Sequence, residues 1–219
     1  MIPKVFHQIW IGPKPLPDNC REWSKTLLQV NPEYEHVWHG NEDLERYRSK
    51  DPVIDTLVAE GFDWAMVSNR MRLLVVYEFG GWHLDADVSA LRPVSNLVDR
   101  YKGFDVGMCA VPADTCIMFA KPQAPLIQRC LDTNPGDAGY SAAWMVKHAI
   151  PGELARIHHN FWELRIPNRK SLFAHRGHML RSWVPVRPSD ENGAPMRTWA
   201  EIRERLRAER NRLANTKAI

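Results

Sequence analysis

The chain has 219 residues and a mass of 25.3 kDa, with 44% apolar and 25% charged side chains, a globular composition that excludes a disordered tail protein. Its formal charge of +3 is too small for a histone-like nucleic-acid binder. The charge is nevertheless uneven: residues 164–219 hold 13 Lys/Arg against 5 Asp/Glu, and the residues before them 16 against 21.

Val5 to Trp10 reads as a strand, stopped by Gly12-Pro13-Lys14-Pro15-Leu16-Pro17. Asp18 is placed to N-cap a helix whose apolar stripe is Cys20, Trp23, Leu27 and Val30. Asn31-Pro32 ends it, and Tyr34 to Trp38 alternates as a second strand, parallel to the first after a normal crossover. Asp51-Pro52 opens a short helix that stops near Gly61. Asp63 caps a helix over 64–79, ended by the left-handed position that Gly80-Gly81 supplies. Trp82-His83-Leu84 is a very short strand delivering Asp85-Ala86-Asp87. Strands follow at 106–111 and 115–120, and helices at 125–132 and 140–148. Val184 to Arg187 reads as a late strand, and Thr198 with Glu201 as a capping box for a last helix bearing Trp199, Ile202, Leu206 and Leu213. The alternation implies an α/β domain with an open, mostly parallel sheet flanked by helices.

The longest clean apolar run, Leu73 to Tyr77, is far short of the ~20 residues of a membrane span, and Pro3-Lys4 leads into a strand with no leader-like apolar stretch. A cytoplasmic location is the expectation. None of Cys20, Cys109, Cys116 and Cys130 forms a C-x-x-C, so reduced thiols and no zinc site are expected.

Asp85 and Asp87 are two apart. In an extended segment both carboxylates leave on one face and repel each other, unless a hard divalent cation such as Mg²⁺ or Mn²⁺ lies between them. With 13 Asp in the chain, chance alone gives roughly 0.8 such pairs, so the pair by itself carries no signal. Its context does, because it sits at the carboxyl end of a buried strand, where open α/β sheets bind ligands.

The stretch from Ser68-Asn69 and Arg72 through Gly80-Gly81-Trp82 to Asp85-Ala86-Asp87 resembles the core signature of the DXD-motif glycosyltransferases of the sugar-binding-region type, glycosyltransferase family 32. Yeast initiating mannosyltransferases and bacterial capsule enzymes belong to it. Ile2-Pro3-Lys4-Val5-Phe6-His7-Gln8-Ile9-Trp10 is similar to the family's first strand, Asn31 to Trp38 to its second, and His178-x-x-x-Ser182-Trp183 to its closing motif. The similarity spans residues 2–90 and, more loosely, 104–183. Asn69 departs from it, standing where the family usually has Asp; an amide still accepts from a hydroxyl but carries no charge.

The resemblance implies a single-domain GT-A-type, Rossmann-like open mixed sheet over residues 1–190, with 191–219 as a basic helical extension packed on it. It implies a metal-dependent, retaining hexosyl- or pentosyltransferase using a UDP- or GDP-sugar donor and an acceptor with a free hydroxyl. Asp85, Asp87, Arg72 and Asp137 become the catalytic candidates. Asp85, Asp87 and His178 become metal ligands, with His175 competing with His178. Trp10, Ser68, Asn69, Arg72, Ser182 and Trp183 become donor-binding residues, Trp10 beside the base and Ser182-Trp183 as a lid over the diphosphate. His7 reads as a hydrogen-bonded, partly buried histidine, His158-His159 as no metal pair, and Arg70 as solvent-facing.

Two other classes stand beside this reading. A nucleotidyltransferase also sets acids and Mg²⁺ on an α/β sheet, but the proline-rich 12–17 loop makes a poor phosphate cradle. A non-catalytic sugar- or nucleic-acid-binding module would leave the acidic pair idle. Residues 164–189 hold Arg165, Arg169, Lys170, Arg176, Arg181 and Arg187 with no acid among them, which raises a polyanionic acceptor such as hydroxymethylated DNA. No obligate protein partner is implied.

Overall fold

A computed structural model describes residues 1–61, 64–110, 113–133, 138–157, 162–163 and 172–175, all within the unit Met1–Arg181. The sequence-predicted cap Asp63, the strand at 184–187, the last helix and the expected boundary at residue 190 lie outside them.

The chain runs β1 (Val5–Ile9), α1 (Asp18–Val30), β2 (Glu35–His39), α2 (Asn41–Arg48), α3 (Pro52–Ala59), α4 (Trp64–Phe79), β3 (Gly81–Leu84), β4 (Val88–Ala90), α5 (Ser95–Tyr101), β5 (Val106–Ala110), β6 (Ala113–Ala120), α6 (Pro125–Thr133), α7 (Ala138–His148), β7 (Leu154–Ile157), β8 (Trp162–Glu163) and β9 (Phe173–His175). A six-stranded sheet has the order β2-β1-β3-β6-β5-β7. β6 alone is antiparallel to its neighbours β3 and β5, so the sheet is mixed with one reversed strand. A second sheet, β4-β9-β8, has three strands. The fold is therefore the expected α/β class, with α2, α5, β4 and β7 to β9 added to the elements read from sequence.

Strand alternation splits β1 and β3 into two faces. Phe6 and Trp82 point into one layer, where Phe6 stacks on Tyr34 at 4.6 Å between centroids and Trp82 meets Phe119 at 4.8 Å. Leu27 of α1, Val88 of β4 and Phe173 of β9 complete that core. The other face lies under α4, α6 and α7, with Leu73, Val76, Met118, Ile127 and Met145 packed together and Ile9 against the cluster of Met71 and Val75.

Two local expectations change. Asp18 is the first residue of α1 and not its cap; Pro17 holds the cap position, with no side-chain bond, so the Asp18 charge acts only on the first turn. Arg70 is buried, 5% exposed, where solvent was expected. α4 is enclosed by α3, α6 and the sheet, which shields the Arg70 face from solvent. Its guanidinium pairs with Asp51 at 2.6 Å and donates to the Leu131 carbonyl at 2.7 Å. Asp51 in turn caps α3 by accepting from the Val53 and Ile54 amides, both at 2.9 Å.

The hinge from α4 into β3 is the Gly80-Gly81 pair, at φ +65° and +80°. A Cβ on Gly80 would lie 2.6 Å from the Pro122 ring, and one on Gly81 2.5 Å from Val5. Glycine is thus required twice over, by backbone sign and by space.

Candidate active site

β1 and β3 run parallel and adjacent, so Trp10 and Asp85 both emerge at the sheet's carboxyl edge. The acidic pair does not continue β3 as an extended segment, as its spacing suggested. Asp85 N–H still donates to the Cys116 carbonyl at 2.8 Å, but its own carbonyl accepts from Val88 N–H at 3.1 Å and closes a turn over residues 85–88. The chain must leave the large sheet here to start β4 in the small one, and the turn makes that transfer. Asp85 is 27% exposed on its side chain and Asp87 is 6% exposed overall.

The Asp85 carboxylate is oriented from two sides. Arg72 Nη2 pairs with its Oδ1 at 2.9 Å, and His83 Nε2 lies 3.3 Å from the same oxygen. Arg72 also donates to Asn69 Oδ1 at 2.7 Å and to Thr115 Oγ1 at 3.3 Å. The departure at residue 69 thus has a structural consequence: Asn69 supplies a neutral acceptor to the arginine that holds Asp85. Ser68, half-buried, precedes Arg72 by one helical turn. Burial pushes the His83 pKa down to about 4, aided by the Arg72 charge, so His83 is a neutral donor toward Asp85.

Asp87 sits at the start of β4, against α1. Burial, and secondarily the Asp87 charge, pushes the Cys20 thiol up to about 11, so Cys20 stays protonated and non-nucleophilic at neutral pH. Trp10 is half-buried, and its indole N–H donates to the Lys14 carbonyl at 2.9 Å, which ties the ring to the proline-rich loop. In that loop Gly12 N–H donates to Asn41 Oδ1 at 2.8 Å, while Asn41 Nδ2 donates back to the Gly12 carbonyl at 3.0 Å. The Trp64 indole covers Gly12, 2.9 Å from where a Cβ would stand.

Of the site residues named from sequence, the structure brings Asp85, Arg72 and Asn69 into one bonded group. Asp87 is in the same turn, Ser68 on the adjoining helix and Trp10 on the same sheet edge. Asp137, His178, Ser182 and Trp183 lie outside the described residues. β9 places the His175 backbone opposite Val88, one residue from Asp87. Gln8, His83 and Thr115 were not singled out as site residues. Gln8 and Thr115 arrive from β1 and β6, and only strand register brings them to Asp85 and Arg72; His83 stands two residues before Asp85 on one strand, a spacing the sequence already shows.

Among the described residues no cluster of three or more His, Cys, Asp and Glu could hold a metal ion. What the turn offers is two carboxylates, one already balanced by Arg72. Two hard oxygen donors fit Mg²⁺ or Mn²⁺ held by one or two carboxylates, with phosphate oxygens and water filling the other positions.

Residues 17–104 match the family model described as glycosyltransferase sugar-binding region containing DXD motif. A curated relative, inositol phosphoceramide mannosyltransferase 3 of Schizosaccharomyces pombe, is 24% identical over 98 residues, or 44% of this chain. The match spans about a quarter of that relative's length, 27%. Three solved glycosyltransferases share the fold. PaToxG glycosyltransferase superposes with a TM-score of 0.52 at 20% identity, covering 69% of this chain and 71% of its own. A glycosyltransferase involved in glycosylating the major capsid of PBCV-1 gives 0.53 at 13%, covering 83% and 98%. Mouse xyloside xylosyltransferase 1 gives 0.51 at 10%, covering 80% and 97%. Residues 17–104 thus resemble a DXD-type glycosyltransferase sugar-binding region, and the chain shares its fold with these solved glycosyltransferases.

Proposed function

We propose that this chain is a metal-dependent, retaining glycosyltransferase that moves a sugar from a nucleoside-diphosphate donor to a hydroxyl acceptor. The observation that carries the reading is the Asp85–Asp87 turn at the carboxyl end of β3, with Asp85 held by Arg72 and His83. The divalent cation, when bound, supplies a Lewis acid for the negative charge that grows on the departing diphosphate. Asp85 and Asp87 would hold it. Arg72, engaged on Asp85, fixes the angle of that carboxylate and lowers the repulsion between the two acids. Trp10 offers an indole face at the sheet edge for the nucleotide base. Asp137 is assigned to a donor-sugar hydroxyl and His178 to the metal, as the family resemblance implies.

No described residue stands as a covalent nucleophile; the buried Cys20 thiol is held protonated. Attack by the acceptor oxygen on the face the diphosphate leaves accounts for retention. The bond from the anomeric carbon to the diphosphate oxygen breaks, the bond to the acceptor oxygen forms, and the acceptor proton passes to the departing phosphate. The nucleotidyltransferase alternative needs backbone N–H groups after β1 to cradle phosphate, whereas Gly12 N–H is already donated to Asn41.

The acceptor is assigned to a hydroxyl of a glycan, lipid or small molecule; the six basic residues between 164 and 189 support the alternative of a polyanionic acceptor. The test is a screen of UDP- and GDP-sugars with Mn²⁺, scored for free nucleoside diphosphate, repeated with chelator and with Asp87→Asn. Metal-dependent release that the variant loses supports the reading. Release that survives both sinks it. Product configuration, read from the anomeric coupling constant, tests retention separately.

A further inference from the structure

β3 carries the acidic turn and is held on one side by a ladder to β6 along its whole length. On the other side its ladder to β1 pairs only Phe6 with Trp82 and His7 with His83. There, both ends of β3 are also gripped by side chains of β1. His7 Nε2 donates to the Gly80 carbonyl at 3.1 Å, just before the strand. Gln8 Nε2 donates to the Asp85 carbonyl at 2.9 Å, just after it. His7 and Gln8 are consecutive, so they reach out from opposite faces of the sheet, and together they tie both ends of β3 to β1.

The Gln8 grip falls on a critical atom. The Asp85 carbonyl is the acceptor that closes the 85–88 turn, so Gln8 aims the group on which the turn depends. Gln8 itself has no freedom to flip. It is fully buried, and its Oε1 accepts from His36 Nε2 at 2.8 Å, which forces its N–H₂ toward Asp85. His36 is held by the edge of Trp38, with ring centroids 5.4 Å apart. Burial pushes the His36 pKa down to about 4, so the imidazole is neutral, with its proton on the nitrogen that faces Gln8.

We propose that Gln8, oriented by His36, is a positioning residue for the metal-binding turn: it fixes the Asp85 carbonyl and thereby sets the geometry at which Asp85 and Asp87 receive the divalent cation. This rests on the functional reading above. Partners of this kind, which orient ligands without touching the metal, typically matter about 10–100-fold in metal affinity.

The test uses the full chain. Mn²⁺–UDP and Mn²⁺–GDP binding is measured by calorimetry for the wild type, Asp85→Asn, Gln8→Leu, His36→Phe and His36→Gln, with metal-free amide exchange by NMR alongside. Gln8→Met, unbranched and close in length, replaces Gln8→Leu should the latter not fold. Gln8→Leu should weaken Mn²⁺–nucleotide binding at least about tenfold. It should also speed exchange at Val88 N–H relative to the ladder amides of His7 and His83. His36→Gln keeps an N–H for Gln8 while losing the ring, and should lie near wild type; His36→Phe keeps the ring and loses the donor, and should follow Gln8→Leu. The reverse order means that His36 only packs, and it overturns the relay, as does unchanged relative exchange at Val88. Loss of metal binding in Asp85→Asn with wild-type binding in Gln8→Leu refutes the positioning role alone. Wild-type binding in Asp85→Asn refutes the metal reading, and this role with it.

Discussion

Removing the Arg72 guanidinium by Arg72→Met tests the bonded group at its centre. The side chain is nearly buried, and it satisfies three oxygens on three elements: Asn69 on α4, Thr115 on β6 and Asp85 after β3. Methionine fills much of the volume but leaves Asp85 with its charge uncompensated. Breaking a buried ion pair by deleting one partner costs about 3–5 kcal/mol. Asp85 is 27% exposed, so water recovers part of this, and a loss of about 3 kcal/mol is expected. Asp85→Asn removes the stranded charge, so the double variant should be more stable than the two single losses predict, with a coupling of about 1–3 kcal/mol. Arg72→Lys keeps a charge but not the planar fork, and should recover only part of the loss. Urea unfolding followed by tryptophan fluorescence measures all four, and nine Trp give ample signal. A single-variant cost under about 1 kcal/mol with an additive cycle would refute the Arg72–Asp85 pairing.

Arg70→Met, two residues away, should cost a similar ~3–5 kcal/mol by stranding Asp51, yet leave nucleotide release per folded molecule unchanged. A fall in turnover as steep as that of Arg72→Met would place Arg70 at the site. Gly80→Ala meets both a left-handed backbone and the Pro122 ring, and should lose about 2–4 kcal/mol, read as a lowered Tm; an unchanged Tm contradicts the hinge. Burial pushes His7 down to about 3 and His36 and His83 to about 4, against 6.5 as the ordinary value. Between those values the unfolded chain binds more protons than the folded one, so stability is full above pH 6.5 and is lost as the pH falls toward 4. Urea midpoints that stay level from about pH 7.5 to about pH 5 would show these histidines to be solvated.

The sequence by itself determined what local rules govern. Asp51-Pro52 starts α3 because a carboxylate beside a proline satisfies the first free amides. Gly80-Gly81 ends α4 because no other residue takes that backbone twice in succession. The α/β class followed from alternating periodicity, and the place of the candidate site from Asp85-Ala86-Asp87 after a short apolar strand. Even His7 was legible as a hydrogen-bonded, partly buried histidine; it is bonded to Gly80 and lies 3.0 Å from His39 Nε2, and it is buried more completely than expected. What only the tertiary structure decided is which partner each polar side chain meets. Arg70 and Arg72 lie on one helix two residues apart; the sequence sends Arg70 to solvent and, through the family resemblance, Arg72 to the site. Enclosure of α4 on several sides sends one to the α3 cap and the other to the acidic turn. Gln8 and Thr115 carry no local signal, because their meaning comes from β1 and β6 standing beside β3. The pair's geometry was misread for the same reason: spacing describes a strand, whereas the crossing from one sheet to another bends Asp85 to Val88 into a turn.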